Sequence, residues 1–570
     1  MSPYGRYVGR IGALAVALGV GTGIAAVTAG IASADDGTSS ASKASSSESS
    51  STQPGSARPA TKAPTPRKRA AGPKLQRTTT ASAAKSPPRE AKSPTTPRQR
   101  TAQTVVSPLG TPEQLSAEKL AAETVKTLPV QVMKVVLQLG WLGTAQRQFA
   151  QVGGPDRENI AQLNQAVDEY AMGAAFQQQI LNSNAPTVVS QVMPPHTWYG
   201  QQVGGSRILY DNPDTIYRFM GVNAASTYVI TGHVSDGAPA DTNFSVLTGL
   251  AGITASNLSD EKLVVDADGN FTITVSRAPA APGQTNHLQL TSDSTLIAVR
   301  NTLSDWDSQE PMSLSIQRID GPPNSLFSQL GGFAIPGLGP LVVGSPFLTS
   351  LVSAIPPLAD PPPLLRGTVT AVVMALGLSM EAKYIAVATT DPATGQPTPP
   401  NVLRNPSRNA EFLATQLQSA GYFQLSDRQA LVVTINPGDA GYFVVPVTND
   451  WTISDNYWDQ QSSLNIDQAV PNDDGTYTLV ISPMDPGVAN WVSTGGLNQG
   501  TISIRFQNLG GGSDPDAAEL PTVSSQVVAL DQLGTVLPAE AFDFTYQDRA
   551  DQIALRRAGF NKRFAPFPQP

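Results

Sequence analysis

Apolar positions change their rhythm along this chain, and each change marks a segment. Residues 11–34 form an uncharged apolar run. From residue 37 to about 103, large apolar side chains almost vanish. Helical spacing then begins at Thr111-Pro112-Glu113, which supplies an N-cap hydroxyl, a proline for the first helical position and an early acid. This helix is expected to run to about Leu128, to be interrupted by Pro129 and to resume to Leu139. A second helix is predicted over residues 156–182, where Ile160, Leu163, Val167, Tyr170, Ala174 and Ile180 approximate one stripe.

From Trp198 the period drops to two. Short strands are predicted over residues 215–220, 228–233, 271–276 and 295–300, and alternation over 312–318 closes this block. Residues 321–359 carry no charge and repeat Gly and Pro. A helical run over 367–380 follows, and at that length it is too short to span a bilayer. The segment reads as a buried connection with a core helix; the competing reading is a lipid-facing lid or docking surface. A further helix is expected over 407–420, ended by Gly421. Strands over 430–435 and 441–447 are parted by a Pro-Gly-Asp turn. The chain from Gly511 is polar, then basic, and is expected to end in a loose tail.

One pattern occurs twice. DGNFTITVS begins at Asp268 and DGTYTLVIS at Asp474. Both open with the Asp-Gly signal of a hairpin, because Gly accepts positive φ. Downstream, Asn286-His287 falls where Asn490-Trp491 falls, and Arg300 corresponds to Arg505. Duplication accounts for these matches better than two unrelated hairpins. The expected fold class is therefore α+β, mainly β, with two related sandwich-like β units, covering helices and a disordered linker in front. The segments are residues 1–34 (signal peptide), 35–105 (linker), 106–197 (helical), 198–320 (first β unit), 321–383 (apolar insertion), 384–510 (second β unit) and 511–570 (C-terminal extension).

Charge sharpens the two ends of this plan. Residues 35–100 hold 13 basic and 4 acidic side chains, whereas the body from Thr101 carries a net charge of about −19. An acidic body excludes nucleic acid as a partner, since phosphate affinity comes from Lys and Arg. The linker lacks the apolar surface to offset ordering entropy. It reads as a solvated spacer, with an electrostatic tether to an anionic envelope polymer as the sharper alternative. Arg6 and Arg10, the apolar run and Ala32-Ser33-Ala34 are the parts of a secretory signal peptide, cleaved after Ala34. An uncleaved anchor is the alternative. The chain has no cysteine, which removes disulfides, thiolate metal sites and cysteine nucleophiles.

Chemistry is sparse. The three histidines, His196, His233 and His287, form no metal-binding spacing; His196 is the best single candidate base. No metal or cofactor is expected, and no catalytic residue can be named. Asp211-Asn212-Pro213-Asp214-Thr215 is the densest polar constellation, although such residues also build ordinary turns. Tyr217 and Arg218 follow on opposite faces of a strand, so one of them is expected to face a site. Trp451 and Trp458, with nearby carboxylates and amides, suit either a sugar platform or a core. The candidate ligand-binding set is Asp211, Asn212, Asp214, Tyr217, Arg218, Arg300, Asn490, Trp491 and Arg505.

YDNPDTIYRF (from Tyr210) and DDGTYTLVISPMDPGVANWVSTGGLNQGTISIRFQ (from Asp473) resemble the bacterial proteins called domain of unknown function 1214. A companion domain numbered 1254, with an Asn-Pro-Asp-Thr-containing strand, often precedes it. The resemblance spans about residues 198–508 and implies a mainly β, partly helical fold with no agreed activity. The family's Asn-Trp corner is often followed by Leu-Asp-Thr; here it is Val492-Ser493-Thr494, so any role for that Asp is lost. The expectation is an exported, non-catalytic envelope-associated or ligand-binding module, taking a small molecule, glycan or lipid between its β units. The alternative is an enzyme acting on an envelope glycan or lipid through the same cleft.

Overall fold

The computed structural model describes residues 106–250, 252–408, 415–510 and 519–565. The expected signal peptide and linker lie outside them. Alternation along residues 501–507 shows how the β units are built. Ile502, Ile504 and Phe506 point into a core with Leu431, Val433 and Phe443. Thr501, Ser503, Arg505 and Gln507 therefore point the other way. All nine residues of this strand are nevertheless buried, so both of its faces are covered.

The first unit comprises β1 (Val189–Gln191), the hairpin β2 (His196–Trp198) and β3 (Gln201–Val203), β4 (Thr215–Gly221), β5 (Thr227–His233), β6 (Asp241–Thr248), β7 (Ile253–Ser259), β8 (Asn270–Ser276), β9 (His287–Gln289), β10 (Ser294–Thr302) and β11 (Ser313–Asp320). The second comprises β12 (Ser407–Arg408), β13 (Leu417–Gln424), β14 (Gln429–Asn436), β15 (Tyr442–Thr448), β16 (Ser463–Asn465), β17 (Tyr477–Ser482), β18 (Trp491–Ser493), β19 (Gln499–Gln507) and β20 (Thr522–Ala529). Each unit is a sandwich of a five-stranded and a four-stranded sheet. The five-stranded orders are β1-β4-β10-β6-β7 and β12-β13-β19-β15-β16; the four-stranded orders are β11-β5-β8-β9 and β20-β14-β17-β18. The two orders correspond strand for strand.

The repeated sequence falls on corresponding strands and makes corresponding contacts. Phe271 on β8 meets Phe244 on β6 edge to face, with centroids 5.9 Å apart; Tyr477 on β17 meets Phe443 on β15 in the same way at 4.9 Å. Gly269 and Gly475 turn the two hairpins at φ of 81° and 84°. Asn286 closes a loop by accepting from Val264 N and donating to Val264 O; Asn490 does the same with Val470, at 2.8 and 2.7 Å.

Helices cover the junction between the sandwiches. They are α1 (Pro112–Thr124), α2 (Leu128–Gln148), α3 (Arg157–Ile180), the short α4 (Leu326–Gln329), α5 (Leu338–Val343) and α6 (Pro346–Val352), then α7 (Pro363–Ala375), α8 (Gly377–Thr389) and α9 (Tyr546–Arg563). Thr111 and Asp156 cap α1 and α3 with their side chains. Pro129 opens α2 rather than merely interrupting one helix, and α2 runs past Leu139 to Gln148. The apolar run is longer than the sequence suggested. Residues 363–389 include a window of mean hydropathy 1.5 and are long and apolar enough to cross a membrane, yet 44% of that window is buried inside the protein. Trp141 on α2 ties the run down by donating to Gly377 O at 2.9 Å. Leu341, Phe347 and Leu351 of α5 and α6 remain exposed.

Two further expectations are corrected. Residues 407–420 are not a helix: β12 and β13 occupy the described part, and residues 409–414 lie outside it. Gly421 is no helix stop but lies within β13, where a Cβ would come 2.4 Å from Val402 O. The described part of the C-terminal segment, residues 519–565, is not a loose tail. β20 pairs along β14, and α9 buries Arg556 and Arg563. Strands β6 and β7 went unpredicted.

Candidate functional site

The five-stranded sheets turn their outer faces toward one another, and a cavity of about 190 Å³ lies where they meet. Arg300 and Arg505 both line it. Their places in the sheets correspond. Arg300 on β10 sits opposite Tyr217 of β4 and Asn243 of β6; Arg505 on β19 sits opposite Gln418 of β13 and Val444 of β15.

Both arginines are buried, with relative exposures of 7% and 8%. Arg300 donates to Ser245 Oγ at 3.3 Å, and Arg505 donates to Tyr210 O. Among the described residues, no carboxylate comes within ion-pair distance of either guanidinium. Burial pulls the Arg300 pKa below its usual range, and the positive charge of Arg505 adds to that shift. Other buried arginines are better supplied. Arg207 is paired with Glu169. Arg556 donates to Tyr457 O, Ser463 O and Ser463 Oγ and lies over the Trp306 ring.

The rest of the wall is mixed. Leu209, Phe219, Leu247 and Leu296 of the first unit and Leu376 and Met380 of the α7–α8 run supply its apolar lining. Gln416, Gln418 and Gln507 add amides near the arginines. Asp211 also lines the cavity, and burial raises its pKa. Both of its oxygens are engaged, because Oδ1 accepts from Ser454 N at 2.9 Å and Oδ2 accepts from Ser454 Oγ. A carboxylate held in this way is a poor general base.

The structure brings together Asp211, Asn212, Tyr217, Arg300 and Arg505 at this cavity. Tyr217, rather than Arg218, faces it. Arg218 turns to the other side of β4 and donates to Met312 O and Asn301 Oδ1; burial lowers its pKa to about 9. Asp214 lies outside the cavity lining. It accepts from Trp306 Nε1 at 2.9 Å, Tyr442 OH at 2.6 Å and Asn465 Nδ2 at 2.9 Å. With Asn212 Nδ2 donating to Tyr442 OH at 3.1 Å, and Tyr210 N donating to Thr452 O at 2.7 Å, residues 210–214 stitch the two units together.

Asn490 and Trp491 are absent from the cavity lining. Asn490 is the loop clamp described above, and Trp491 lies under Arg549 at 4.9 Å and donates to Ser482 O at 3.2 Å. His196 is a packing residue, with its ring stacked on Phe564 at 4.1 Å and Nδ1 2.9 Å from Pro194 O. Trp451 is buried and donates to Asn159 O at 2.6 Å, and Trp458 stacks on Phe560, so the two form no exposed platform. The helical wall was missed, because no local pattern links residues 373–384 to strands more than 70 residues earlier.

No family model and no curated protein matches the chain. Among solved structures, an uncharacterised protein from Burkholderia cenocepacia superposes with a TM-score of 0.53 at 21% identity, covering 72% of this chain and 99% of that one. A Vibrio parahaemolyticus protein matches at 12% identity and a TM-score of 0.33, over 64% of this chain and 99% of that one. At such identity the Burkholderia likeness shows the fold alone, the α+β, mainly β arrangement described above.

Proposed function

We propose that this chain is a non-catalytic ligand-binding module whose ligand occupies the cavity between the two β units, in an exported protein held at the cell envelope. The observation that carries the binding reading is the meeting of Arg300 and Arg505, from corresponding strands, at one cavity without a carboxylate partner among the described residues. The basic, apolar and Ala-x-Ala parts of residues 1–34 support export. An enzyme is the weaker reading, because Asp211 is the carboxylate that lines the cavity and its oxygens are already bonded to Ser454.

Gly173 on α3 offers a direct test. It lines the cavity, and a Cβ there meets nothing nearer than Ser206 O at 3.9 Å. Leu at this position fills the cavity and, as a better helix former than Gly, leaves the fold intact. Small acids, amides and amines with phenyl or short alkyl bodies should include binders that raise the Tm of the wild type by a few degrees at saturation. Gly173→Leu should abolish those shifts. If the wild type responds to no probe of any charge, or if Gly173→Leu responds equally, the cavity is not a binding site.

A further inference from the structure

The cavity's lining joins two kinds of chemistry, and that pairing names a ligand class. Two of the lining side chains are like-charged, each more than nine-tenths buried. A buried cation without a counter-ion is costly, and two near each other are costlier still. Elsewhere in this chain that cost is relieved by a carboxylate, by several carbonyls or by an aromatic face, as at Arg207 and Arg556. Arg300 has one long bond, to Ser245 Oγ at 3.3 Å. Arg505 has one acceptor, Tyr210 O. Guanidinium forks left with unused donors and facing open space match carboxylate and phosphate oxygens.

The same lining includes aliphatic and aromatic side chains from the α7–α8 run and the first unit, which would repel a fully hydrated ion. The space is also limited. A cavity of about 150 Å³ accommodates benzene, and this one is about 190 Å³. A single ring or a short alkyl body fills most of that volume.

We infer that the ligand is a compact organic anion, its carboxylate or phosphate head shared between Arg300 and Arg505 and its single-ring or short-alkyl body against Leu376, Met380 and Phe219. This inference rests on the cavity being a binding site. The charges facing the head are accounted for on both sides. Asp211 has its oxygens bonded to Ser454, and Asp241 accepts from Asn243 Nδ2 at 2.9 Å. Tyr217 and Tyr384 are the neighbouring phenols. The two arginines are thus the groups left to receive an anion.

Calorimetric titration of the full chain with phenylacetate, phenyl phosphate, phenylacetamide, phenethylamine and inorganic phosphate tests this. The two ring-bearing anions should bind roughly tenfold or more tightly than the amide, as expected for charge-assisted bonds. Inorganic phosphate should bind far more weakly than phenyl phosphate. Arg300→Gln and Arg505→Gln should each weaken phenylacetate far more than the amide, removing most of the preference between them. Thermal unfolding of the unliganded variants separates a structural role: Tm should hold or rise once an unpaired charge is gone. The inference is overturned if the amide or the amine binds as well as the acid. It is equally overturned if both Gln variants lose Tm but keep the preference, or if inorganic phosphate binds as tightly as phenyl phosphate. In those cases binding that Gly173→Leu abolishes would leave the cavity reading standing. Silence from every probe, the neutral one included, defeats both.

Discussion

Asp214 shows how much one side chain holds here. Its carboxylate accepts from an indole, a phenol and an amide, and Tyr442 and Asn465 belong to the other β unit. Removing it leaves the Trp306 indole and the Tyr442 phenol without an acceptor and takes one of two acceptors from Asn465 Nδ2. Asp214→Ala should therefore cost about 3–5 kcal/mol in chemical denaturation. Asp214→Asn keeps the volume but turns one acceptor into a donor, and should cost about 1–3 kcal/mol. An Ala variant within experimental error of wild type would mean the seam contributes nothing to stability. Sequence alone showed the Asp211–Thr215 stretch as turn chemistry, which it partly is, since Asp214 N bonds to Asn212 Oδ1 at 3.0 Å. It could not show the partners, which lie 92, 228 and 251 positions away. Alternation likewise said that Tyr217 and Arg218 face opposite ways, and only packing decides which of them meets the cavity.

At the scale of elements, the Asp-Gly hairpins were legible because their determinants are local: a positive-φ glycine, then strict alternation. Asn286 and Asn490 carried a real signal of a different kind. They are not ligand contacts but matching clamps, each closing a loop with two backbone bonds. Asn286→Ala and Asn490→Ala should each lower stability by about 1–2 kcal/mol, and their effects should add, because they sit in separate units. Urea titration of the singles and the double would check this, and strong coupling would contradict it. The failed helix over 407–420 has a physical cause too. Gly421 looked like a helix stop, yet it serves a close backbone approach inside β13. A glycine does not reveal from sequence which of its two uses applies. Strand β6 carries polar residues on faces that the fold covers, so its alternation was blurred.

For the whole molecule, buried acids set the response to pH. Burial raises the pKa of Asp241 to about 7, with Asp260 adding to the shift and Asn243 and Arg300 opposing it. A raised acid binds its proton in the folded state over a range where the unfolded chain has released it. Stability contributed by this group is therefore full below about pH 4 and is lost as pH rises toward 7. The span amounts to at most roughly 4 kcal/mol. Unfolding free energy measured from pH 4.5 to 7.5 should fall more steeply for wild type than for Asp241→Asn; parallel curves would rule the effect out. Asp211, Asp214, Asp450 and Glu381 are raised by burial in the same direction and add to this trend.

The seam also sets an order in time. Pro213 O receives Arg563 Nη1 at 2.6 Å, a bond between residues 350 positions apart, and Asp214 waits for donors at 442 and 465. Contacts so distant in sequence close late and slowly. A chain emerging from the ribosome N-terminus first holds Arg300 ready long before Arg505 exists. The cavity is thus among the last features of the molecule to form, and the ligand proposed for it would meet only a chain synthesised past Arg505.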